Sequence, residues 1–308
     1  MTLGRVLVTG AAGVVGRATV DDLAATGWDV VAVTSAQADL RDYDSTLELF
    51  EKIKPTHVIH LAARVHGLLG NLAHPGEVFL DNVRLNTSVI EAARRVGVER
   101  FVAMGSVAMY ADGLPLPVQE SAMWTGEPHH SEAAYAQAKR TMLAQLDAYA
   151  KQYDFDFTLA VATNMFGAGD KFDEHEGHVL PSLISKFYRG VNEDAKVTAW
   201  GTGTAQRDFL YSKDAASGLR TLLTAPRGVY NLATGVEVSI RQVVETLTEV
   251  SGYTGTVEWD TTKPDGQRRR LYDVTKLTSL GWAPKHDLSA ALAESYEWYA
   301  RNVATARR

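Results

Sequence analysis

The sequence predicts an α/β protein in which a doubly wound, mostly parallel sheet is joined to a smaller, mixed α/β part. In the first half of the chain, short β-branched runs alternate with helical stretches of about ten to twenty residues, which is typical of βαβ units. Right-handed crossovers then place helices on both faces of the sheet. After residue 164 this alternation is lost. A polar, glycine-rich segment follows at 167–177, which indicates an active-site loop.

The elements of the first half follow from apolar runs and from the residues that end them. Gly27 is a natural C-cap for the first helix, and Pro55 stops the second. In chain order we predict a strand at 5–9, a helix at 13–26, a strand at 29–34, a helix at 45–53, a strand at 57–61, a helix at 80–96, a strand at 98–105, a helix at 132–153 and a strand at 158–163.

The second half is predicted as a mixture of strands and helices. In chain order we predict a helix at 181–189, strands at 197–200 and 228–232, a helix at 240–251, a strand at 256–259 and a helix at 288–300. We expect a first domain over 1–165, with return segments from about 205–235. The second domain is expected to consist mainly of 166–308.

Composition limits the classes of function. The 308 residues allow two domains of roughly 100–200 residues, or one large domain. The 37 acidic and 31 basic side chains give a net charge of −6, which argues against a nucleic-acid binder with its basic face. The absence of cysteine excludes disulfides, thiolate metal sites and cysteine nucleophiles. We expect a soluble cytoplasmic protein that neither binds nor crosses a membrane, because the sequence has no apolar stretch of about 18 residues and no room for a signal peptide.

A glycine-rich loop connects the first predicted strand to the first helix. The run V-T-G-A-A-G-V-V-G at 8–16 has the spacing G-x-x-G-x-x-G. Such glycines permit a tight turn and the close approach of a pyrophosphate, which the N–H groups and the dipole of the following helix then bind. The loop therefore predicts a dinucleotide site, and the alternative is a tight turn that binds nothing. The predicted contacts are Gly10, Gly13, Val14, Val15 and Gly16.

The end of the second predicted strand usually selects the dinucleotide. An acidic residue there binds the ribose hydroxyls of NAD, whereas a nearby arginine accepts the extra phosphate of NADP. Thr34 and Ser35 occupy this place, so neither signal is present. Their hydroxyls suit a phosphate, but they suit a plain turn equally well. Asp39 and Leu40 follow and are predicted to contact the adenine.

A tyrosine and a lysine lie one helical turn apart at Tyr135 and Lys139. A tyrosine is a poor acid or base at neutral pH because its pKa is about 10, and a nearby ammonium group is expected to lower it. Ser106 ends a predicted strand, which puts it at the carboxyl edge of the sheet, where ligands bind in such folds. A second pair, Tyr272 and Lys276, has no such partner, and we interpret it as structural.

These features together resemble the extended short-chain dehydrogenase/reductases. The resemblance rests on the glycine loop, on H-L-A-A at 60–63, on Ser106 and on the Tyr135/Lys139 pair. Short motifs in the second half are similar to those of the GDP-L-fucose synthases: T-N-M-F-G at 163–167, G-H-V-L-P at 177–181, W-G-T-G at 200–203, R-D-F-L at 207–210, T-K-P-D-G at 262–266 and D-V-T-K-L at 273–277.

The resemblance covers nearly the whole chain and implies a Rossmann fold and an activity. Members of this group reduce a GDP-linked 4-keto-6-deoxymannose with NADPH after epimerising it at two ring carbons. Val107 and Ala108 stand where related 4,6-dehydratases have Asp-Glu, which argues against a dehydratase. The resemblance also implies cofactor contacts from Leu61, Ala62 and Ala63, besides Tyr135 and Lys139.

One departure from the family bears on epimerisation. In the GDP-L-fucose synthases a cysteine two residues after the serine and a histidine just before a Val-hydrophobic-Pro segment carry the epimerisation. The histidine is present as His178, but Ala108 occupies the cysteine position. Epimerisation beside a ketone needs a base on one face and an acid on the other, and alanine can be neither. His178 is predicted to serve as one of the two groups or to bind the sugar, and the alternative is a loop histidine without function.

The family positions also imply a set of substrate contacts. The guanidinium groups of Arg207 and Arg269 suit a diphosphate because they can bind it in a fork. Arg268 and Arg270 are interpreted as facing solvent. Asn82 matches a polar position of the cleft, but it and Asn164 also suit the role of a satisfied cap. The implied substrate contacts are Ser106, Asn164, His178, Lys186, Trp200, Arg207, Lys263 and Arg269.

A metal site is not expected. The acidic and histidine side chains of the glycine-rich loop match no standard ligand spacing, and hydride transfer needs no metal. The residues considered are Asp170, Asp173, Glu174, His175, Glu176 and His178.

The sequence therefore favours an NADPH-dependent reductase of a nucleotide-linked, GDP-type 4-keto sugar, with reduced or absent epimerase activity. NAD is the alternative cofactor. The alternative functions are a bifunctional epimerase/reductase in which another residue replaces the cysteine, and a dinucleotide sensor without catalysis. The intact Ser106, Tyr135 and Lys139 argue against a sensor. A homodimer is expected by resemblance, and the alanine-rich face at 133–150 permits it.

Overall fold

The computed structural model describes residues 3–65, 68–174, 177–263, 265 and 267–307. Its strands are β1 (Arg5–Thr9), β2 (Asp29–Val33), β3 (His57–His60), β4 (Arg100–Ser106), β5 (Phe157–Ala162), β6 (Asn164–Phe166), β7 (Thr198–Trp200), β8 (Gln206–Arg207), β9 (Phe209–Tyr211), β10 (Gly228–Leu232), β11 (Val238–Ser239) and β12 (Glu258–Asp260). Its α-helices are α1 (Val14–Ala25), α2 (Tyr43–Ile53), α3 (Leu68–Ala73), α4 (Pro75–Arg95), α5 (Ala133–Tyr153), α6 (Val179–Asn192), α7 (Ser212–Leu222), α8 (Ile240–Ser251), α9 (Thr275–Thr278) and α10 (Leu288–Asn302).

Six strands form one parallel sheet in the order β10-β5-β4-β3-β1-β2. The order reverses direction at β1, so the crevice outside the carboxyl ends of β1 and β3 is the place where ligands bind in such folds. The predicted Rossmann-type, doubly wound sheet is therefore confirmed. Strand β10, far along the chain, returns to lie at the edge of the sheet beside β5.

Alternating side chains of each strand supply two hydrophobic layers. Leu7 points to the face covered by α2, α4 and α5, where it joins Phe50 and Ile90. Its neighbours Val6 and Val8 point to the other face, which α1 and α7 cover. Because strand side chains have a period of two, the apolar runs of β1 and its neighbours are buried on both faces, as helices on both sides require.

A third hydrophobic cluster holds the remaining part together. Helices α6, α8 and α10 pack against one another through Phe187, Leu247 and Leu292, all fully buried. Short two-stranded pairs accompany them: β6 with β9, β7 with β12, and β8 with β11. This agrees with the smaller mixed α/β part predicted from the sequence. The residue at which two domains divide stays a prediction.

Four α-helices differ clearly from the predicted elements: α3, α7 and α9 were not predicted, and α4 begins earlier than expected. Helix α4 begins at Pro75, not near residue 80, because proline fits the first turn, where its missing N–H has no helical partner to lose. Helix α7 was not predicted: its buried face combines small residues such as Ala215, Ala216 and Gly218 with polar ones, so few large apolar side chains mark it in the sequence. Within the described residues, none of the helices has the length and apolar character that crossing a membrane requires.

Candidate active site

The glycine-rich loop lies between β1 and α1, and there is no room for a side chain at Gly10 or Gly16. Gly10 has φ +68°, and a Cβ there would lie 2.7 Å from the backbone nitrogen of Ala62. A Cβ on Gly16 would lie 2.2 Å from the carbonyl oxygen of Gly10. Gly13 is the N-cap of α1, so Val14 and Val15 form its first turn. These contacts and the N–H donors of this turn fit a dinucleotide pyrophosphate.

A buried polar chain fixes the loop that follows β3. The Thr9 hydroxyl accepts hydrogen bonds from the N–H groups of Leu61 and Ala62, at 3.2 Å each. Its one proton is therefore donated to Nδ1 of His60, 2.8 Å away. His60 then carries its proton on Nε2 and donates it to Oδ1 of Asn86, at 3.1 Å. This chain anchors Leu61 and Ala62 below the glycine loop, and Ala63 follows them half-buried.

The imidazole of His60 is neutral. Burial, with a smaller contribution from the Lys139 ammonium, lowers the pKa of His60 to about 3. Further along the same loop, the buried side chain of Asn82 accepts a hydrogen bond from the N–H of Arg64 and donates one to its carbonyl. Asn82 thus holds the loop in place from within α4 and caps no helix end. Sequence reasoning missed the roles of Thr9 and Asn86, since nothing local in the sequence joins them.

The end of β2 is organised around two side-chain interactions. The Gln37 carboxamide accepts hydrogen bonds from the Thr34 N–H, at 2.7 Å, and from its hydroxyl, while Ser35 is exposed. Arg41 bonds the carboxylate of Asp39 and holds its pKa at about 2. Arg41 also pairs with Asp81, at 3.1 Å. Asp39 and the buried Leu40 thus lie beside this ion network.

Lys139 of α5 contacts the carboxyl end of β4, which Ser106 ends, and Tyr135 lies one helical turn before Lys139. Lys139 lies on α5, is fully buried, and donates a hydrogen bond of 2.9 Å to the carbonyl of Met104 on β4. Its Nζ lies 5.9 Å from the centre of the half-buried Tyr135 ring. Ser106 ends β4, and its Oγ accepts a hydrogen bond of 3.2 Å from the N–H of Ala108. The serine hydroxyl proton remains available to donate.

The electrostatics of this group differ in one respect from the expectation. Burial raises the pKa of Tyr135, and the carboxylate of Glu132 raises it further, whereas lowering by Lys139 was expected. The phenol is thus protonated at neutral pH, which is the form that donates a proton. Burial also lowers the pKa of Lys139 to about 8, and within the described residues no carboxylate pairs with it.

The second tyrosine–lysine pair is pulled apart. Tyr272 is buried and stacks against Tyr110, with ring centres 6.1 Å apart. Lys276 points elsewhere: its Nζ donates to the carbonyl of Val229 at 2.6 Å and lies 4.3 Å from the ring centre of Tyr230. The interpretation of this pair as structural agrees with the geometry.

Ala108 and His178 occupy different surroundings. Ala108 is buried in the short 3-10 turn that follows Ser106. His178 is exposed and is the N-cap residue of α6, without a side-chain capping bond. Asp170 lies close enough to interact electrostatically with His178, although burial is the larger effect and raises the pKa of Asp170. The Oδ2 atom of Asp170 is buried without a hydrogen-bond partner among the described residues.

Two of the predicted substrate residues, Lys186 and Lys263, lie beside the exposed indole of a third, Trp200. The Nζ atoms of Lys186 and Lys263 lie 5.6 and 5.4 Å from the ring centre of Trp200. Lys186 also donates to the carbonyl of Thr198, at 3.0 Å. Two cations on one aromatic platform can hold the flat ring and the negative charge of a nucleotide.

Arg207 lies in a second cationic group. Its neighbour there is Arg270, whereas Arg269 was the predicted substrate contact. Burial and the neighbouring Arg270 lower the pKa of Arg207. Arg270 has only 18% of its side chain exposed and pairs with Glu132 at 2.9 Å, so its assignment to solvent was wrong. The side chain of Arg269 is instead half exposed and pairs with Glu237.

Two further sequence expectations concern ligation. Asn164 donates to the carbonyl of Asp208, at 3.2 Å, so at least one of its amide protons serves the backbone. Within the described residues, no group of three or more metal-ligating side chains comes together. His175 and Glu176, considered with the glycine-rich loop, and Pro264 and Gly266 of the T-K-P-D-G motif lie outside the described residues.

Comparisons with known proteins identify the family of the chain. The chain matches the NAD dependent epimerase/dehydratase family over residues 6–233. It is 37% identical over 303 residues to GDP-L-fucose synthase 1 of Arabidopsis thaliana, covering 97% of this chain and 94% of that protein. The GDP-L-fucose synthetase of Naegleria fowleri bound to NADP has a TM-score of 0.92 and 31% identity, covering 100% of this chain and 97% of the other.

A third relative is a reductase. The GDP-6-OMe-4-keto-L-xylo-heptose reductase of Campylobacter jejuni is similar with a TM-score of 0.88 and 25% identity, covering 98% of this chain and 99% of the other. The family match spans the glycine loop, Ser106, Tyr135 and Lys139, which the fold brings to one edge of the sheet. The chain therefore belongs to the NAD dependent epimerase/dehydratase family and, with its GDP-L-fucose synthase relatives, is an NAD(P)-dependent oxidoreductase acting on nucleotide sugars.

Proposed function

We propose that this protein is an NADPH-dependent reductase of a GDP-linked 4-keto sugar, with reduced or absent epimerase activity. The observation that supports the proposal is a buried Lys139 that bonds the end of β4, beside Tyr135 on its own helix and near Ser106, the last residue of that strand. The likeness to GDP-L-fucose synthases and to a GDP-4-keto-heptose reductase supports the substrate class.

In the proposed reaction each side chain has one task. When bound, NADPH supplies the hydride. The Ser106 hydroxyl donates a hydrogen bond to the ketone oxygen and orients it, while the neutral Tyr135 phenol donates the proton that the developing alkoxide needs. Lys139 is cationic below pH 8 and stabilises the phenolate that forms. The cofactor is expected to lie on the glycine loop and on the anchored segment from Leu61 to Ala63.

The nucleotide is proposed to lie across the two cationic groups. Trp200 with Lys186 and Lys263 suits the base and phosphates, and Arg207 suits the diphosphate as a fork. Asn164 and His178 are proposed to face the sugar. The role of Arg269 is retained only as the sequence expectation, because its partner Glu237 already neutralises it.

The reduced epimerase activity follows from Ala108. A proton removed beside the ketone on one face must be returned on the other, and a buried methyl group can do neither. His178 remains as a single exchange group. A bifunctional epimerase/reductase is the second candidate, because identity to GDP-L-fucose synthases extends over 97% of the chain.

A homodimer is part of the proposal. Helices α4 and α5 pack side by side, and Phe79 and Leu80 on α4 are at least 40% exposed. On α5, Ala144 and Ala148 form a small exposed strip that allows another helix to approach closely. Packing of these helices between two copies would cover the apolar side chains.

Turnover of GDP-4-keto-6-deoxymannose with NADPH, followed by NMR of the product, tests the function. The proposal predicts oxidation of NADPH and a new hydroxyl at the former ketone, with at most one neighbouring centre inverted. Inversion at both centres would instead establish the bifunctional candidate. Absence of turnover with GDP-keto sugars would contradict both.

A further inference from the structure

A largely buried ion pair joins the C-terminal segment to the start of the catalytic helix. Nη2 of Arg270 lies 2.9 Å from Oε2 of Glu132, and the two side chains are only 18% and 30% exposed. Glu132 is the N-cap residue of α5, and Tyr135 lies in the first turn of that helix. Arg270 thus approaches the proton donor from a part of the chain more than a hundred residues away.

Glu132 affects the tyrosine because a negative charge nearby disfavours a phenolate. Its charge is the one carboxylate effect on Tyr135 resolved in the described structure, and it adds to the effect of burial. Reduction of a ketone leaves a phenolate on Tyr135 in the proposed reaction. An unpaired Glu132 would therefore oppose the proton transfer.

Other charged groups surround this pair. Lys139 lies beside Tyr135, and Arg207 and Tyr272 interact electrostatically with Glu132. Further out, Asp112 interacts with Arg270 and Asp208 with Tyr272. Asp265 interacts with Arg207 and His60 with Lys139. The Nζ atom of Lys139 lies 5.9 Å from the ring centre of Tyr135. Arg207 also acts on Glu132, but only Arg270 makes a direct ion pair with it in the described structure.

We propose that Arg270 is a positioning residue for proton transfer, which neutralises Glu132 and so allows Tyr135 to release its proton. The inference rests on the proposed ketoreductase function and deepens it. A paired carboxylate acts on its surroundings as a dipole, whose field falls off faster than that of a single charge. Removing Arg270 exposes Tyr135 to the full charge of Glu132, and removing both groups restores a neutral environment.

Kinetics of the full-length enzyme provide the first test. Arg270→Gln is expected to lower kcat by about tenfold, the factor that corresponds to one pKa unit. Glu132→Gln in the same chain is expected to restore kcat to within about threefold of wild type, and Arg270→Lys keeps most activity because it keeps the charge. If Arg270 served only to bind the diphosphate, its loss would raise KM and Glu132→Gln would not restore it, which overturns the inference.

Arg94→Gln is the matched control. Arg94 forms a similarly buried ion pair with Glu91, which in turn bonds the hydroxyl of Tyr149, away from the sheet edge. Its loss is expected to leave kcat unchanged while lowering the unfolding temperature by an amount comparable to the loss of Arg270. An equal fall in kcat in the two variants would mean that lost stability, not the charge of Glu132, explains the effect.

An NMR titration separates this inference from the proposed function. With tyrosines labelled at Cζ and NADP bound, Tyr135→Phe identifies the resonance of Tyr135. The expected order of titration is Glu132→Gln at the lowest pH, wild type next and Arg270→Gln highest. If Glu132→Gln shows no downward displacement up to pH 11, the inference is wrong, whether or not the enzyme turns over a keto sugar.

Discussion

The hydroxyl of Thr9 and the imidazole of His60 form a hydrogen bond of 2.8 Å, with both side chains fully buried at the carboxyl ends of neighbouring strands. The same hydroxyl accepts the N–H groups of Leu61 and Ala62. Two strands and the loop on which a cofactor is expected to lie are thus fixed by one oxygen atom. The first prediction follows from this arrangement.

Thr9→Val keeps the shape of the side chain but removes that oxygen. We expect a loss of at least about 2 kcal/mol of folding free energy, because two N–H groups and one imidazole nitrogen lose their partner. NADP binding is expected to weaken about tenfold as the loop loosens. Thr9→Ser keeps the hydroxyl and should bind NADP almost as wild type does. Equal affinity of the valine variant and wild type, measured by calorimetry, would refute a positioning role for Thr9.

Tyr135→Phe removes the proposed proton donor and leaves the fold intact. Turnover is expected to fall at least about 100-fold, the usual scale for losing a general acid, with little change in cofactor affinity. Tyr272→Phe is the comparison, since Tyr272 is stacked in the core and separated from Lys276. Steady-state rates distinguish the two. Near wild-type turnover in Tyr135→Phe would contradict the assignment.

Lys139→Met is expected to abolish most turnover without destabilising the protein at pH 7. The pKa of Lys139 is depressed to about 8 from 10.5, so at pH 7 the folded protein keeps a buried charge that disfavours folding. Between pH 8 and pH 10.5 the unfolded chain binds the extra proton, so this opposition to folding is relieved as pH rises. The unfolding free energy of wild type should rise relative to the variant by about 1–3 kcal/mol across this range. Denaturant unfolding at pH 7 and pH 10 measures it, and a constant difference would count against the depressed pKa.

Ala108 limits proton exchange beside the ketone. In deuterated water, without reductant, the wild-type enzyme should introduce deuterium at no more than one carbon next to the ketone of GDP-4-keto-6-deoxymannose. His178→Asn should abolish that exchange, while an isomer with correct stereochemistry is still reduced. Ala108→Cys should gain exchange at a second carbon. Mass spectrometry and NMR of the recovered sugar report the positions, and exchange at both carbons in wild type would restore the full bifunctional function.

Cofactor preference is expected to favour NADPH. Thr34 has no carboxylate and hydrogen-bonds the Gln37 side chain, and the carboxylate of Asp39 is paired with Arg41. Neither position therefore offers a free carboxylate to a ribose hydroxyl. The ratio of kcat/KM for NADPH and NADH measures the preference. A clear advantage for NADH would reverse this prediction and leave the fold and the proton donor as they are.

Much of the fold could be predicted because its signals are local. An apolar run, a glycine at a cap or a proline after a helix acts over a few residues, so β1, β10 and α8 were placed with their observed bounds. Helices α3, α7 and α9 and the start of α4 escaped prediction. The first turn of α4 is polar, α3 and α9 are only six and four residues long, and the buried face of α7 has few large apolar side chains. Among the candidate site residues, Tyr135 and Lys139 lie on one helix, so their four-residue spacing in the sequence predicts that they are neighbours.

The sequence by itself determined the parallel sheet, the glycine loop and the group of Ser106, Tyr135 and Lys139, because each depends on short spacings or on the shared carboxyl edge of parallel strands. Only the tertiary structure decided that Arg270, which the sequence analysis assigned to solvent, pairs with Glu132, and that the Thr9 hydroxyl bonds Nδ1 of His60. It also decided that burial raises the pKa of Tyr135. Such facts depend on which distant segments pack together and on how much water they exclude, and neither is encoded in the spacing of neighbouring residues.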